Sequence, residues 1–124
     1  MNKVNIAEKL SLFSDHWHPR IVGRPNGQHV KLVKFEGEFV WHRHEHEDEL
    51  FLVVKGRFRM EWRDADGAEW SLWLEEGEFL VVPRGTEHRP VAEAEVSVLL
   101  FEPAGTLNTG DTRGMLTVDE PEAL

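Results

Sequence analysis

The stretch WHRHEHEDELFLVVKG, Trp41 to Gly56, decides how the rest of the chain is read. His42 and His44 sit two apart, so on a strand their imidazoles project from one face. Glu49 opens the next extended run and can face the same interior. A later segment, GEFLVVPRGTEHRP (Gly77 to Pro90), brings His88 in behind a Pro-x-Gly turn. Three imidazoles and a carboxylate suit Fe(II), Mn(II), Zn(II), Ni(II) or Cu(II). Four protein ligands on an octahedral ion leave positions free for water or substrate, the mark of a catalytic rather than a purely structural site.

Outward from that stretch the pattern is one of short strands. VKLVKF (Val30 to Phe35) alternates with period two, and Glu38 to His44 follows a glycine and is rich in β-formers. ELFLVVK (Glu49 to Lys55) is apolar on both faces, as expected of a strand buried on both sides or lying at an interface. Phe58, Met60 and Trp62 alternate with charged residues in RFRMEWR, and the Asp-Gly in DADGA (Asp64 to Ala68) signals a hairpin. EWSLWL, FLVVP and EVSVLLFEP (Glu95 to Pro103) follow. Strands at this spacing, punctuated by glycine, predict an antiparallel sandwich or barrel. Upstream, Asn5 can cap a short helix with Glu8 three residues on, and RPNG (Arg24 to Gly27) reads as a turn. Residues 104–124 lose the periodicity and read as an arm over the body with a frayed acidic end.

Size and composition narrow the partners. A chain of 124 residues suffices for one domain and one core. There are no cysteines, which removes disulfides, zinc–thiolate sites and thiol nucleophiles. A net charge of −9 argues against nucleic acid and anionic membranes, leaving a small-molecule ligand. No run approaches the roughly 18 apolar residues of a membrane span, and the first residues lack a secretory h-region. A cytoplasmic location is the expectation.

These motifs resemble the cupin superfamily, whose first motif is Gly, five residues, His-x-His, three or four residues, Glu, six residues, Gly. Here Gly37 leads to His42-Arg43-His44, four residues to Glu49 and six to Gly56. The second motif runs Gly, five residues, Pro-x-Gly, two residues, His, three residues, Asn; here Gly77 leads to Pro83-Arg84-Gly85 and His88. Four residues rather than five separate Gly37 from His42, and Ala92 stands where Asn is usual, which alters a contact behind the ligands but removes none. The run PRGTEHRPVAE…FEPAGTLNTG is similar to compact stand-alone type-2 cupins, many of which carry a phosphomannose-isomerase-like label. The resemblance implies an all-β, double-stranded β-helix (a jelly-roll barrel) with one divalent metal on His42, His44, Glu49 and His88. It divides a single cupin domain, 1–124, into a barrel over about 30–103, a helix and strand extension over 1–29, and the arm. A homodimer is expected, both from the resemblance and from the apolar surplus of ELFLVVK and EWSLWL.

His46 extends the pattern His42-x-His44-x-His46, but the count to Glu49 favours the first pair and leaves His46 in the loop or supporting the ligands from behind. Glu45, Glu47 and Asp48 form a solvated negative rim able to attract cations or supply a base. Trp41 points away from the metal by alternation, and the five tryptophans are packing residues first. His16, His18 and His29 are given no role. Two functions remain: a metal-dependent enzyme (isomerase, lyase or oxygenase) acting on a small oxygenated acid or sugar, or a metal-assisted binding or sensor module. Nothing in the sequence names the substrate or the metal.

Overall fold

Asn5 accepts a hydrogen bond on its side chain from the Glu8 N–H (3.0 Å), and the capped helix α1 runs over Ile6–Leu10. The computed structural model describes all 124 residues. Beyond α1 the regular elements are all strands: β1 (Arg20–Gly23), β2 (Gln28–Glu38), β3 (Glu49–Lys55), β4 (Phe58–Arg63), β5 (Glu69–Leu74), β6 (Phe79–Val82) and β7 (Glu87–Pro103). Pairing between strands is antiparallel, in the order β1-β2-β7-β3-β6, with β4 between β7 and β5. The expected all-β barrel with a short N-terminal helix is the observed architecture.

β7 organises the barrel. Its first half pairs with β4 (Trp62 opposite His88), its second half with β3 (Phe51 opposite Leu100), and β2 runs along its other edge. The register jumps from Phe35 opposite Val96 to Gly37 opposite Ala92, so Glu93, Ala94 and Glu95 bulge outward. That bulge bends one strand into service on both sides of the barrel. The strand expected from Glu95 therefore begins eight residues earlier, at Glu87.

Two further expectations are corrected. Glu38 to His44 is not a strand: β2 ends at Glu38, and an isolated bridge between His42 and His88 is the ladder contact that follows. The C-terminal arm occupies the backbone that a ladder would need. The Arg43 N–H donates to the Asp111 carboxylate (2.9 Å), and the Asp111 N–H donates to the Arg43 carbonyl (3.1 Å). Gly110 makes this possible, since a Cβ there would lie 2.2 Å from the Arg43 oxygen. Nor is the acidic end frayed, because Ile21 of β1 exchanges backbone hydrogen bonds with Glu122 and Leu124 at 2.9 Å each.

The inner face carries Val33, Phe35, Phe51, Val53, Phe58, Met60, Leu74, Val96, Val98 and Leu100, all buried. Trp17, at φ +65°, closes one end by stacking on Phe35 and Phe39 at 4.6 and 4.7 Å. The alternation of β5 places Leu72 and Leu74 opposite Met60 and Phe58; Leu74 is buried, whereas Leu72 and Trp70 stay exposed, so EWSLWL keeps apolar surface.

Candidate metal centre

The paired segments deliver the histidines. His42 and His88 exchange both backbone hydrogen bonds (3.1 and 2.8 Å), and the Gly85 N–H donates to the His44 carbonyl (2.7 Å). The Pro83–Gly85 turn is tied to the loop before Glu49 by Arg84, whose N–H donates to the Asp48 carboxylate at 2.9 Å. Glu49, first residue of β3, then faces inward with Phe51 and Val53. His42, His44, Glu49 and His88 are all buried, and one ligand atom from each lies within 4.8 Å of the others.

These four residues have the chemistry of a metal cage. His44 Nε2, Glu49 Oε1 and His88 Nε2 are buried without a hydrogen-bond partner, a costly state for polar atoms unless something else satisfies them. The carboxylate oxygen is 3.2 Å from His44 Nε2 and 3.5 Å from His88 Nε2. On the far side of the rings, His42 Nδ1 is 2.9 Å from the Val40 carbonyl and His88 Nδ1 is 2.8 Å from that of Thr86. An Nδ1–H donating there leaves Nε2 as a lone pair aimed at the centre, which is how metal-binding histidines are oriented.

Electrostatics follow from burial. Desolvation, aided by the neighbouring His88, pushes His42 down to about 4. Burial opposes a charge on His44 too, but the Glu49 carboxylate beside it prevails and raises its pKa. Glu49 itself stays well below the ordinary carboxyl range, because the adjacent Glu102 carboxyl and the His44 and His88 imidazoles together outweigh desolvation.

His46 stays exposed in the loop, outside the cluster. Glu45 and Asp48 are exposed on the rim, where Asp48 is engaged by Arg84. Trp41 faces away from the centre, as alternation predicts, and stacks under the Arg63 guanidinium at 3.9 Å. His16 bonds Glu95 (2.7 Å) and His18 is exposed.

Two residues escaped the sequence reading. Lys31 and Glu102 are inward-facing, 2% and 1% exposed, and joined by a 2.8 Å ion pair beside Glu49. Burial and the adjacent Glu49 push the Glu102 carboxyl well above its usual range. The signal was phase: Lys31 shares parity with Val33 and Phe35, and Glu102 with Val98 and Leu100.

Past His88 the barrel opens into a cavity of about 850 Å³, within the range of small-molecule sites. Met60, Trp62, Leu72, Leu80 and Val82 form an apolar wall, while Arg43, Arg63 and Glu87 lie at the mouth. His88 lines this cavity but is fully covered in the resting arrangement.

Residues 29–102 match the cupin domain family. The chain belongs to the cupin family. A curated relative, the uncharacterized protein YdbB of Bacillus subtilis, is 35% identical over 84 residues, covering 68% of this chain and 65% of the relative. The chain thus matches just under two thirds of that relative's length. The crystal structure of a cupin-2 domain protein from Shewanella frigidimarina is 42% identical, with a TM-score of 0.75 over 81% of this chain and 93% of that one. Hydroquinone 1,2-dioxygenase PnpCD in complex with Fe³⁺ shares the fold at 16% identity, with a TM-score of 0.75 over 84% of this cupin and 33% of that chain. No helix in this cupin is long and apolar enough to cross a membrane.

Proposed function

We propose that His42, His44, Glu49 and His88 hold one divalent transition metal ion, and that the chain is a single-domain, metal-dependent cupin enzyme acting on a small organic molecule. The observation that carries this reading is the set of buried, unpartnered Nε2 and Oε1 atoms converging within 4.8 Å. A bound ion would supply Lewis acidity toward a substrate oxygen and, if redox-active, access to dioxygen. The protein's own residues do the rest: His42 and His88 are fixed by their Nδ1 contacts, Glu49 supplies the anionic ligand, and the apolar wall excludes water from the reacting end.

Among isomerase, lyase and oxygenase chemistry, the wall of Met60, Trp62, Leu72, Leu80 and Val82 favours oxygenase work on a ligand with an apolar body. The fold shared with an iron-bound hydroquinone dioxygenase supports the same choice. The second reading, a binding or sensor cupin, is favoured by the burial of all four ligands, which leaves little of the centre open to a substrate.

We place a homodimer contact on the outer face of β3, β6 and β7, where Phe79, Val81 and Phe101 are exposed beside the half-buried Leu50, Leu52 and Leu99. The test of the main reading is metal analysis of protein purified without a metal-affinity tag. About one transition metal ion per chain is expected for the parent and almost none for His44→Ala. Oxygen consumption by the iron-loaded protein with hydroquinone and substituted phenols then separates enzyme from sensor. Absence of metal after reconstitution rules out the proposal.

A further inference from the structure

The barrel interior carries an ion pair whose cost its packing does not explain. Lys31 Nζ and Glu102 Oε1 are 2.8 Å apart with both side chains sealed from water, and Nζ has one further contact, the Thr106 carbonyl at 3.5 Å. Replacing such a pair by apolar residues of similar volume is commonly neutral or stabilising. Its position supplies a reason. Leu50 of β3 stands opposite Phe101 of β7, and continuing that register puts Glu49 opposite Glu102 on the inner face. Across the other edge of β7, His29 stands opposite Glu102 and Lys31 opposite Leu100, which sets Lys31 diagonal to Glu102. An ammonium, a carboxyl and the ligand carboxylate therefore lie in line across three adjacent strands. Glu102 Oε2 finds no donor, and the register sets the Glu102 carboxyl beside that of Glu49.

We propose that Lys31 and Glu102 are a positioning pair for Glu49: Lys31 anchors Glu102, and Glu102 braces the Glu49 carboxylate so that Oε1 stays directed at His44 and His88. The inference rests on the metal reading of the cluster. Neither residue touches the cluster's centre, so both act through Glu49. A pair that only braced the fold would show itself in stability. A positioning pair shows itself in metal affinity.

Competition with a chromophoric chelator measures Mn²⁺ and Zn²⁺ affinity, and melting of the metal-free protein reports on the fold. Lys31→Met/Glu102→Leu should melt metal-free at or above the parent temperature, yet bind metal roughly 10–100-fold more weakly. Glu102→Asp keeps the partner of Lys31 but withdraws the carboxyl by one methylene, with an expected loss of about tenfold. Glu102→Gln can hold both neighbours and should stay within about threefold of the parent. Parent affinity in the folded double variant overturns the inference. Should that variant not fold, parent affinity in Glu102→Asp overturns it. A parent protein that takes up no metal overturns the metal reading, and this inference with it, before any variant is compared.

Discussion

Two neighbouring pairs in the sequence, Glu49-Leu50 and Phe101-Glu102, sit opposite each other on β3 and β7 and reverse the usual partition of a sheet. The carboxylates point inward and are buried, while Phe101 points outward and is 37% exposed. On β6 the outward Phe79 is 63% exposed. Charge inside and large apolar groups outside both cost free energy in an isolated chain. Each inversion marks a surface that gains something by binding: a cation within the barrel, a protein surface outside it. The difference between the two faces is one of sealing. Inside, the ligand atoms are sealed from water and left without partners. Outside, only water is displaced.

The sharpest way to break the inner half of this comparison is to remove its one fixed cation. Lys31→Met strands two buried carboxyl groups, Glu49 and Glu102, beside each other. Losing one partner of a buried pair typically costs about 3–5 kcal/mol. Metal-free Lys31→Met should lose about that much in urea unfolding, and the double variant with Glu102→Leu should recover it. Parent-like stability in Lys31→Met would mean that the Glu102 carboxyl, raised by burial and by Glu49, needs no counterion from Lys31.

The outer half yields to a smaller change. The far edge of β1 is covered by backbone bonds from Glu122 and Leu124, whereas β6 ends the sheet with Phe79 and Val81 on its exposed face. Phe79→Asp should leave monomer stability within about 0.5 kcal/mol, as for an ordinary surface change. In sedimentation equilibrium it should shift a parent dimer to monomer, a loss of roughly 2 kcal/mol or more if Phe79 is a hot spot. A parent that already sediments as a monomer would empty the outer face of meaning.

Much of this was legible beforehand. The motif spacing picked out His42, His44, Glu49 and His88, and the structure brings these four together while leaving His46 outside. Local signals placed the Asn5 cap, the RPNG turn and the Asp-Gly hairpin, because each depends on a few adjacent residues. What alternation could not supply was anything set by a distant partner. Glu38 to His44 has strand composition, yet Asp111, sixty-eight residues beyond Arg43, takes its backbone groups. Likewise the last strand was read as starting at Glu95 rather than Glu87, because the bulge that bends β7 depends on register with β2. Lys31 and Glu102 were not singled out, since each has its counterion on another strand.

The smallest effect tests the charge state of the inner face most directly. In the metal-free protein His42, at about 4, is neutral at physiological pH, while His44, raised by Glu49, holds a proton above its model-peptide value of 6.5. A raised histidine contributes stability that is complete below 6.5 and fades as pH climbs through the raised value. Metal needs the neutral imidazole, so it competes with that proton. The His44 proton alone should therefore make affinity rise with pH, by up to about tenfold, or 1.4 kcal/mol, per pH unit below the His44 pKa. His42 contributes no second proton until the pH falls to about 4. Chelator competition at stepped pH reads the slope. A rise in affinity from about pH 5 to 6.5 shows a proton leaving the ligands as metal enters. Affinity that stays flat over that range means that no ligand proton is displaced, and that Glu49 holds none on His44.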